Sequence, residues 1–181
     1  MRIIAGEARG RVIEAPAGLQ TRPTLDWVRE NVFNILQADI PGSRVLDLFA
    51  GSGALSLEAL SRGAASAVLV DSDRNAWMAQ KKNIELLHYT DRTRQFLCDW
   101  RKAVIQLRRE QTKFNLIFLD PPYAIQDLRE VFSALNDLTD TQSLIILEHE
   151  AEKKITVPYS FEMIKTRSWG LCAISIYRMI I

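Results

Sequence analysis

From residue 44 onward the chain alternates two patterns. Short, mostly apolar runs at 45–49, 66–70, 114–119 and 143–147, with a more mixed one at 93–98, are separated by stretches in which apolar residues return every three or four positions. The runs predict strands. The spaced stretches predict helices from the glycine-rich turn at 51–53 to near 63, over 75–87, around 100–110 and around 127–138. Short apolar strands joined by helical crossovers imply a parallel sheet with helices on both faces. The end of the chain breaks this rhythm. Residues 161–167 and 171–177 read as strands joined only by Ser168-Trp169-Gly170, too short for a helical crossover, so they are predicted to run antiparallel. Upstream, residues 2–5 and 11–14 flank Gly6 and Gly10 and suggest a hairpin. Thr24 is placed to cap a helix reaching about Ala38, with Leu25, Val28, Val32, Ile35 and Leu36 on one stripe. The expected organisation is a hairpin-and-helix appendage at 1–42 and an α/β domain at 43–181. In that domain a mostly parallel, doubly wound sheet ends in an antiparallel hairpin.

Composition narrows the class without choosing a function. A length of 181 residues, 48% hydrophobic, suits one α/β domain. No segment approaches the roughly 20 apolar residues of a membrane span, and the opening Met1-Arg2-Ile3-Ile4-Ala5-Gly6 lacks the apolar core of a signal peptide. The expectation is a cytoplasmic, monomeric protein. Cys98 and Cys172 belong to no CxxC pair, and His88 and His149 are isolated, so no metal site is expected. The net charge is +1, but Arg92, Arg94, Arg101, Lys102, Arg108, Arg109 and Lys113 crowd one stretch, while residues 120–152 are acidic. This patterning fits solvated helix faces, or a basic lobe for an anionic polymer.

The chemistry-bearing residues fall at predicted strand ends. After the first strand of the sheet, Asp47-Leu48-Phe49-Ala50-Gly51-Ser52-Gly53 supplies two glycines for a tight turn and close backbone approach, followed by a helix N-terminus. It lacks the third glycine of a pyrophosphate fingerprint, and a carboxylate at Asp47 suits a cationic amino-acid moiety better than a pyrophosphate. Asp71 follows the second strand, where an acid can accept from ribose hydroxyls; Asp73 reads as the cap of the next helix. Asp99 closes the third strand, where it could accept from an adenine amino group or cap a helix. Asp120-Pro121-Pro122-Tyr123 follows the fourth strand. An aromatic amine is a poor nucleophile because its lone pair is delocalised. The Asp120 carboxylate and the Pro121 carbonyl can accept its two N–H bonds and aim the lone pair at a methyl donor. The two prolines stiffen the loop, and Tyr123 offers a stacking face. Glu148 and His149 end the fifth strand, where they either border a base pocket or form a solvated strand end.

The order Asp-x-Phe-x-Gly-x-Gly, acid, Asp-Pro-Pro-Tyr resembles the Rossmann-like methyltransferases that act on exocyclic amines. Arg2-Ile3-Ile4-Ala5-Gly6, Arg9-Gly10-Arg11, Thr21-Arg22-Pro23-Thr24 and Val28-Arg29-Glu30-Asn31-Val32-Phe33-Asn34 narrow this. With them, almost the whole chain resembles the RsmD-type 16S ribosomal RNA guanine-N2 methyltransferases. The resemblance implies S-adenosyl-L-methionine as cofactor, bound by Asp47, Phe49, Ala50, Gly51, Ser52, Gly53, Asp71, Ser72, Asp99 and Trp100. It implies a guanine received by Asp120, Pro121, Pro122 and Tyr123, and ribosomal RNA or the small ribosomal subunit as partner. Arg9, Arg11, Arg22 and Arg29 would touch RNA or shape the entrance, or else bridge to Glu7, Glu14, Asp26 and Glu30. A flipped-out base is also implied. The same tetrapeptide serves DNA adenine-N6 and cytosine-N4 methyltransferases, which usually carry a separate recognition domain. A nicotinamide-dinucleotide oxidoreductase and a non-catalytic cofactor-binding module are the remaining alternatives.

Overall fold

A computed structural model describes residues 1–16, 24–122, 125 and 127–180. The Thr21-Arg22-Pro23 segment and Tyr123, both singled out above, lie outside the described residues. The elements are α1 (Thr24–Ile35), β1 (Arg44–Asp47), α2 (Ala54–Ser61), β2 (Ser66–Asp71), α3 (Arg74–Leu86), β3 (Thr93–Leu97), α4 (Trp100–Arg109), β4 (Leu116–Leu119), α5 (Arg129–Leu135), β5 (Leu144–Glu150), β6 (Phe161–Trp169) and β7 (Cys172–Met179). The helix predicted to reach Ala38 ends at Ile35 and unwinds through turns, and the one predicted to reach 138 finishes as a 3-10 turn over Asn136–Leu138.

The seven strands form one sheet in the order β3-β2-β1-β4-β5-β7-β6, parallel from β3 through β5 and antiparallel at the β5–β7 and β7–β6 joins. This is the doubly wound sheet with a terminal hairpin that the pattern predicts. The chain steps outward from β1 to β3, then returns to lay β4 on the other side of β1, so the connections diverge above the carboxyl ends of β1 and β4. A ligand crevice opens at such a reversal in α/β sheets. Both faces of the central strands are buried, which explains their mostly apolar runs, whereas the edge strand β3 is partly exposed. On one face Ile3, Ile13, Phe33, Leu57, Leu60, Phe118 and Ile174 pack with the appendage, α2 and α3. On the other, Leu46, Leu48, Trp100, Leu107, Phe132 and Tyr177 pack with α4 and α5. Each such fully buried side chain contributes roughly 1.5–3 kcal/mol.

The expected N-terminal hairpin is reduced to one bridge, Arg2 to Val12, with flanking bonds from Ile3 N to Arg11 O and from Ile13 N to Met1 O. The ladder stops because the amides of Ile4 and Ala5 turn instead to the buried carboxylate of Glu58, at 2.8 and 3.0 Å. Gly6 lies so tightly against α2 that an added Cβ would stand 1.9 Å from the Ser61 carbonyl oxygen. The appendage therefore shares its core with the sheet. The charge clusters also resolve. Arg101 grips Glu130 through two bonds of 2.6 and 2.7 Å, Arg94 grips Glu110, and Arg108 pairs with Asp137. The basic stretch is thus largely neutralised by its acidic neighbours.

Candidate functional site

The glycine turn sits where β1 ends, and its two glycines do different things. Gly53 adopts φ 80°, and an added Cβ would meet Leu69 Cδ2 at 2.8 Å, so it serves close packing of α2 on β2. Gly51 adopts φ 52° with nothing within 4 Å of the same position, so its missing side chain leaves open space over the turn. Two buried amides of α3 hold the turn from behind. Gln80 Nε2 donates to the Gly51 carbonyl at 3.0 Å, and Asn83 Nδ2 donates to the Ser52 carbonyl at 3.1 Å and the Glu14 carbonyl at 2.9 Å. Both side chains are fully buried. Sequence reasoning missed them, although a signal existed: with Ala76, Ala79, Ile84 and Leu87 they fall on the helix stripe that faces the core, where an amide needs a partner.

Asp47 lies under this turn and is 1% exposed. Its Oδ2 accepts from Ser56 Oγ at 3.1 Å while Oδ1 completes no hydrogen bond. Burial pushes its carboxyl up to about 7, opposed by the Ser56 hydroxyl and reinforced by the charge of Asp71. A cation reaching this carboxylate would restore its ionised form. Asp71 closes β2, and its two oxygens accept from Gly51 N and Asp73 N, both at 2.8 Å. Each oxygen keeps a second lone pair. Asp73 caps α3 through Asn75 N at 2.6 Å, as its position suggests. Asp99 caps α4 by accepting from Arg101 N at 2.9 Å, while its half-exposed carboxylate stays open to solvent. Phe49 is partly buried and Ser72 exposed, on either side of the β1–β2 opening.

Trp100 is set apart from the rest. It is 5% exposed and packs with Leu46, Leu48 and Val70 in the α4-side core, so its ring belongs to the interior. Arg29 is likewise 5% exposed, donating to the Arg2 carbonyl and bridging Asp26 at 3.1 Å. It ties α1 to the N-terminal segment at Arg2 and points into the interior. Arg9 and Arg11 are exposed, with Glu7, His88 and Arg92 around a concavity of about 510 Å³. Arg11 also donates to the Leu86 carbonyl at 3.1 Å. This groove lies at the end of α3 and the start of β3, on the rim of the sheet opposite the glycine turn. These two arginines therefore do not shape the entrance either.

Asp120 follows β4 directly. Parallel pairing of β1 and β4 sets Asp47 beside Phe118, so Asp120 and the residues leading into the glycine turn rise from neighbouring strands on one rim. Asp120 and Pro122 are exposed and Pro121 partly so. The Pro122 carbonyl accepts from Ile125 N at 2.9 Å, which fixes the turn beyond the prolines. Across β5 the same register carries Glu148 next to Asp120. Cys172 Sγ donates to Glu148 Oε1 at 3.4 Å. Burial, Glu148 and the charge of Asp120 together push that thiol up to about 12. Glu148 thus borders the Asp120 rim, whereas His149 spends both ring nitrogens on Glu150 O and Ser175 Oγ, each at 2.8 Å, inside the sheet's antiparallel half. Among the described residues no cluster of His, Cys, Asp and Glu is placed to hold a metal, and no helix is long and apolar enough to cross a membrane.

Comparison with known proteins agrees with this layout. A family model described as "Conserved hypothetical protein 95" matches residues 1–178. The ribosomal RNA small subunit methyltransferase D of Escherichia coli (strain K12) is 38% identical over 182 residues, covering 98% of this chain and 89% of its own. The solved structure of yhhF from Escherichia coli superposes with a TM-score of 0.86 at 36% identity, covering 99% of this chain and 97% of its own. The fold extends to the SAM-dependent methyltransferase from Agrobacterium tumefaciens, with a TM-score of 0.62 at 20% identity over 74% of this chain and 47% of its own.

Proposed function

This chain belongs to the family described as conserved hypothetical protein 95, the RsmD-type ribosomal RNA methyltransferases, and from that premise we propose that it methylates the exocyclic N2 amine of a guanine in 16S ribosomal RNA. The coarser statement, S-adenosylmethionine-dependent methylation of ribosomal RNA, follows the family. The finer one rests on the reaction rim. Its main support is the β1–β4 register, which raises the glycine turn and Asp120 side by side.

The residues present fit the cofactor. The space over Gly51 accepts a ligand without a Cβ in the way, the buried Oδ1 of Asp47 completes no hydrogen bond, and Asp71 keeps lone pairs for ribose hydroxyls. When bound, S-adenosylmethionine supplies an electrophilic methyl on a sulfonium. Asp47, Phe49, Ala50, Gly51, Ser52 and Gly53 would hold its methionine part, Asp71 and Ser72 the ribose, and Asp99 the adenine edge. Trp100 would act only by shaping the floor. Asp120 and the Pro121 carbonyl accept the two N–H bonds of the guanine amine and localise its lone pair, Pro122 keeps them aimed, and Tyr123 stacks on the ring. The proton lost after transfer goes to Asp120 or to water. The substrate is ribosomal RNA or the small subunit. Arg9 and Arg11 contribute phosphate contacts from the opposite rim, Arg22 lies in the segment leading to α1, and Arg29 acts through the fold.

The test is nucleoside mass spectrometry after incubating the protein and S-adenosylmethionine with small-subunit RNA, intact small subunits and duplex DNA. N2-methylguanosine in the ribosomal substrates is expected. Methylated adenine or cytosine in DNA, with ribosomal RNA unmodified, would overturn the reading.

A further inference from the structure

The tail hairpin carries a strip of cations and indoles that the reaction itself does not use. In the β6–β7 ladder Lys165 faces Ile176, Arg167 faces Ile174 and Trp169 faces Cys172. Paired residues of an antiparallel ladder share a sheet face, and Ile174 and Ile176 belong to the α1-side core. A register shift between Met163 and Lys165 creates this arrangement. Without the bulge, Thr166 and Ser168 would occupy the α1 face and the two cations would point away. Arg178, beside Glu162 on the same face, extends the strip.

All three cations are exposed. Lys165 and Arg178 make no side-chain hydrogen bond or ion pair among the described residues, and Arg167 donates only to the neighbouring Thr166 carbonyl at 2.9 Å. By contrast, Arg94, Arg101 and Arg108 on the other side of the molecule are all matched to acids. At its upper end the strip meets two aromatic rings. Trp27 of α1 stands edge-to-face with Trp169 at 5.7 Å and is 51% exposed; Leu171, at the hairpin tip, is 87% exposed. That tip is fastened to the end of β5 by Ala151 N donating to Leu171 O at 2.9 Å, one strand from Asp120. The strip thus runs about 13 Å along β6 from Lys165 to Trp169 and arrives at the reaction rim.

We infer that this face is a track for single-stranded RNA: Lys165, Arg167 and Arg178 hold successive phosphates, while Trp27 and Trp169 stack a base that flanks the methylated nucleotide. Unpaired cations beside exposed indoles are the combination that binds single strands with little sequence preference. The unpaired cations of the edge strand and continuity with the Asp120 rim select RNA over an apolar protein partner. Glu162 lies beside Arg178, and Glu148 and Glu150 lie on the same face two strands inward, across Ile174 and Cys172, so the positive charge is confined to the outer edge along β6.

The inference rests on the RNA reading above, and its test separates the two. Binding is measured by fluorescence anisotropy with a labelled single-stranded uridine oligomer, which contains no guanine. The proteins are the wild type, Lys165→Ala/Arg167→Ala and Trp27→Ala. The wild type binds. Removing the two cations weakens binding at least tenfold and makes the log K against log salt slope shallower by about 1.4, from about 0.7 per phosphate contact. Trp27→Ala weakens it about tenfold. In methylation assays both variants raise KM for ribosomal RNA, keep kcat, and bind S-adenosylmethionine like the wild type. Unchanged oligomer affinity and salt slope in both variants would overturn the track. So would unchanged RNA affinity with lost binding to small subunits, which would assign the face to a ribosomal protein. Oligomer binding with these dependences but no methylation of any ribosomal substrate would leave the track standing and reject the proposed reaction.

Discussion

The two rims of the sheet use their acids in opposite ways. At the rim where the strands begin, the buried Glu58 carboxylate and the Ser61 hydroxyl are spent on the chain itself. Glu58, fully buried, accepts from Ile4 N, Ala5 N and Arg62 Nε. Ser61 Oγ accepts from Ala8 N and donates to the Ala5 carbonyl. At the rim where the strands end, two acids keep unused capacity, Asp47 through Oδ1, which completes no bond, and Asp71 through its remaining lone pairs; Asp120 is exposed on the same rim. Saturated groups build the fold, and unsaturated ones around open space leave room for a ligand. The distinction is visible only once partners can be counted.

The largest effect should come from the saturated rim. Glu58→Ala strips acceptors from two backbone amides and leaves the Arg62 guanidinium without its buried partner. Unfolding stability measured in denaturant should fall by about 3–5 kcal/mol. A loss below about 1 kcal/mol would mean that the appendage is not held this way.

The unsaturated rim predicts the opposite sign. Unfolded, Asp47 ionises near its ordinary value of 3.8; folded, it holds its proton up to about 7. Stability without cofactor is therefore greatest below about pH 4 from this group, and falls as pH rises toward 7, by up to about 4 kcal/mol. Asp47→Asn should remove that loss, giving a higher melting temperature than the wild type at pH 8, while weakening S-adenosylmethionine binding in calorimetry. A variant less stable than the wild type at pH 8 would refute the assignment of burial as the dominant cause.

A smaller contrast separates two glycines in positive-φ backbone that both face open space, Gly51 at φ 52° and Gly10 at φ 82°. Alanine at either should cost about 1–2 kcal/mol of stability for the left-handed conformation. Only Gly51→Ala should also lower cofactor affinity, by tenfold or more, because its Cβ enters the space over the turn. Equal calorimetric affinities for the two variants would place the ligand elsewhere.

Much of this was legible in the sequence. Strand positions and burial follow from the short apolar runs, and the antiparallel end follows from a three-residue link, whereas the strand order does not show in the sequence. The glycine turn, Asp71 and Asp120 lie at the strand ends where the pattern puts them. What stayed hidden depends on contacts between distant segments. Nothing local announces that Ile4 and Ala5 bond to Glu58 rather than extend a hairpin, or that Arg29 and Trp100 are interior. The bulge at Met163/Lys165 was equally hidden, since a one-residue shift leaves composition unchanged yet exchanges the two faces of β6. The basic stretch at 92–113 misleads in part for the same reason: besides Glu110 within it, its matching acids are Glu7 near the N-terminus, Glu130 on α5 and Asp137 in the turn after it.

The central claim is that Asp120 acts on the amine at the same rim that holds the cofactor. The most direct measurement is single-turnover methyl transfer to small-subunit ribosomal RNA by the wild type and Asp120→Ala, with S-adenosylmethionine affinity measured in parallel. The account predicts a rate lowered by about 10²–10³-fold with cofactor affinity within about twofold of the wild type. Transfer by Asp120→Ala at the wild-type rate would contradict it.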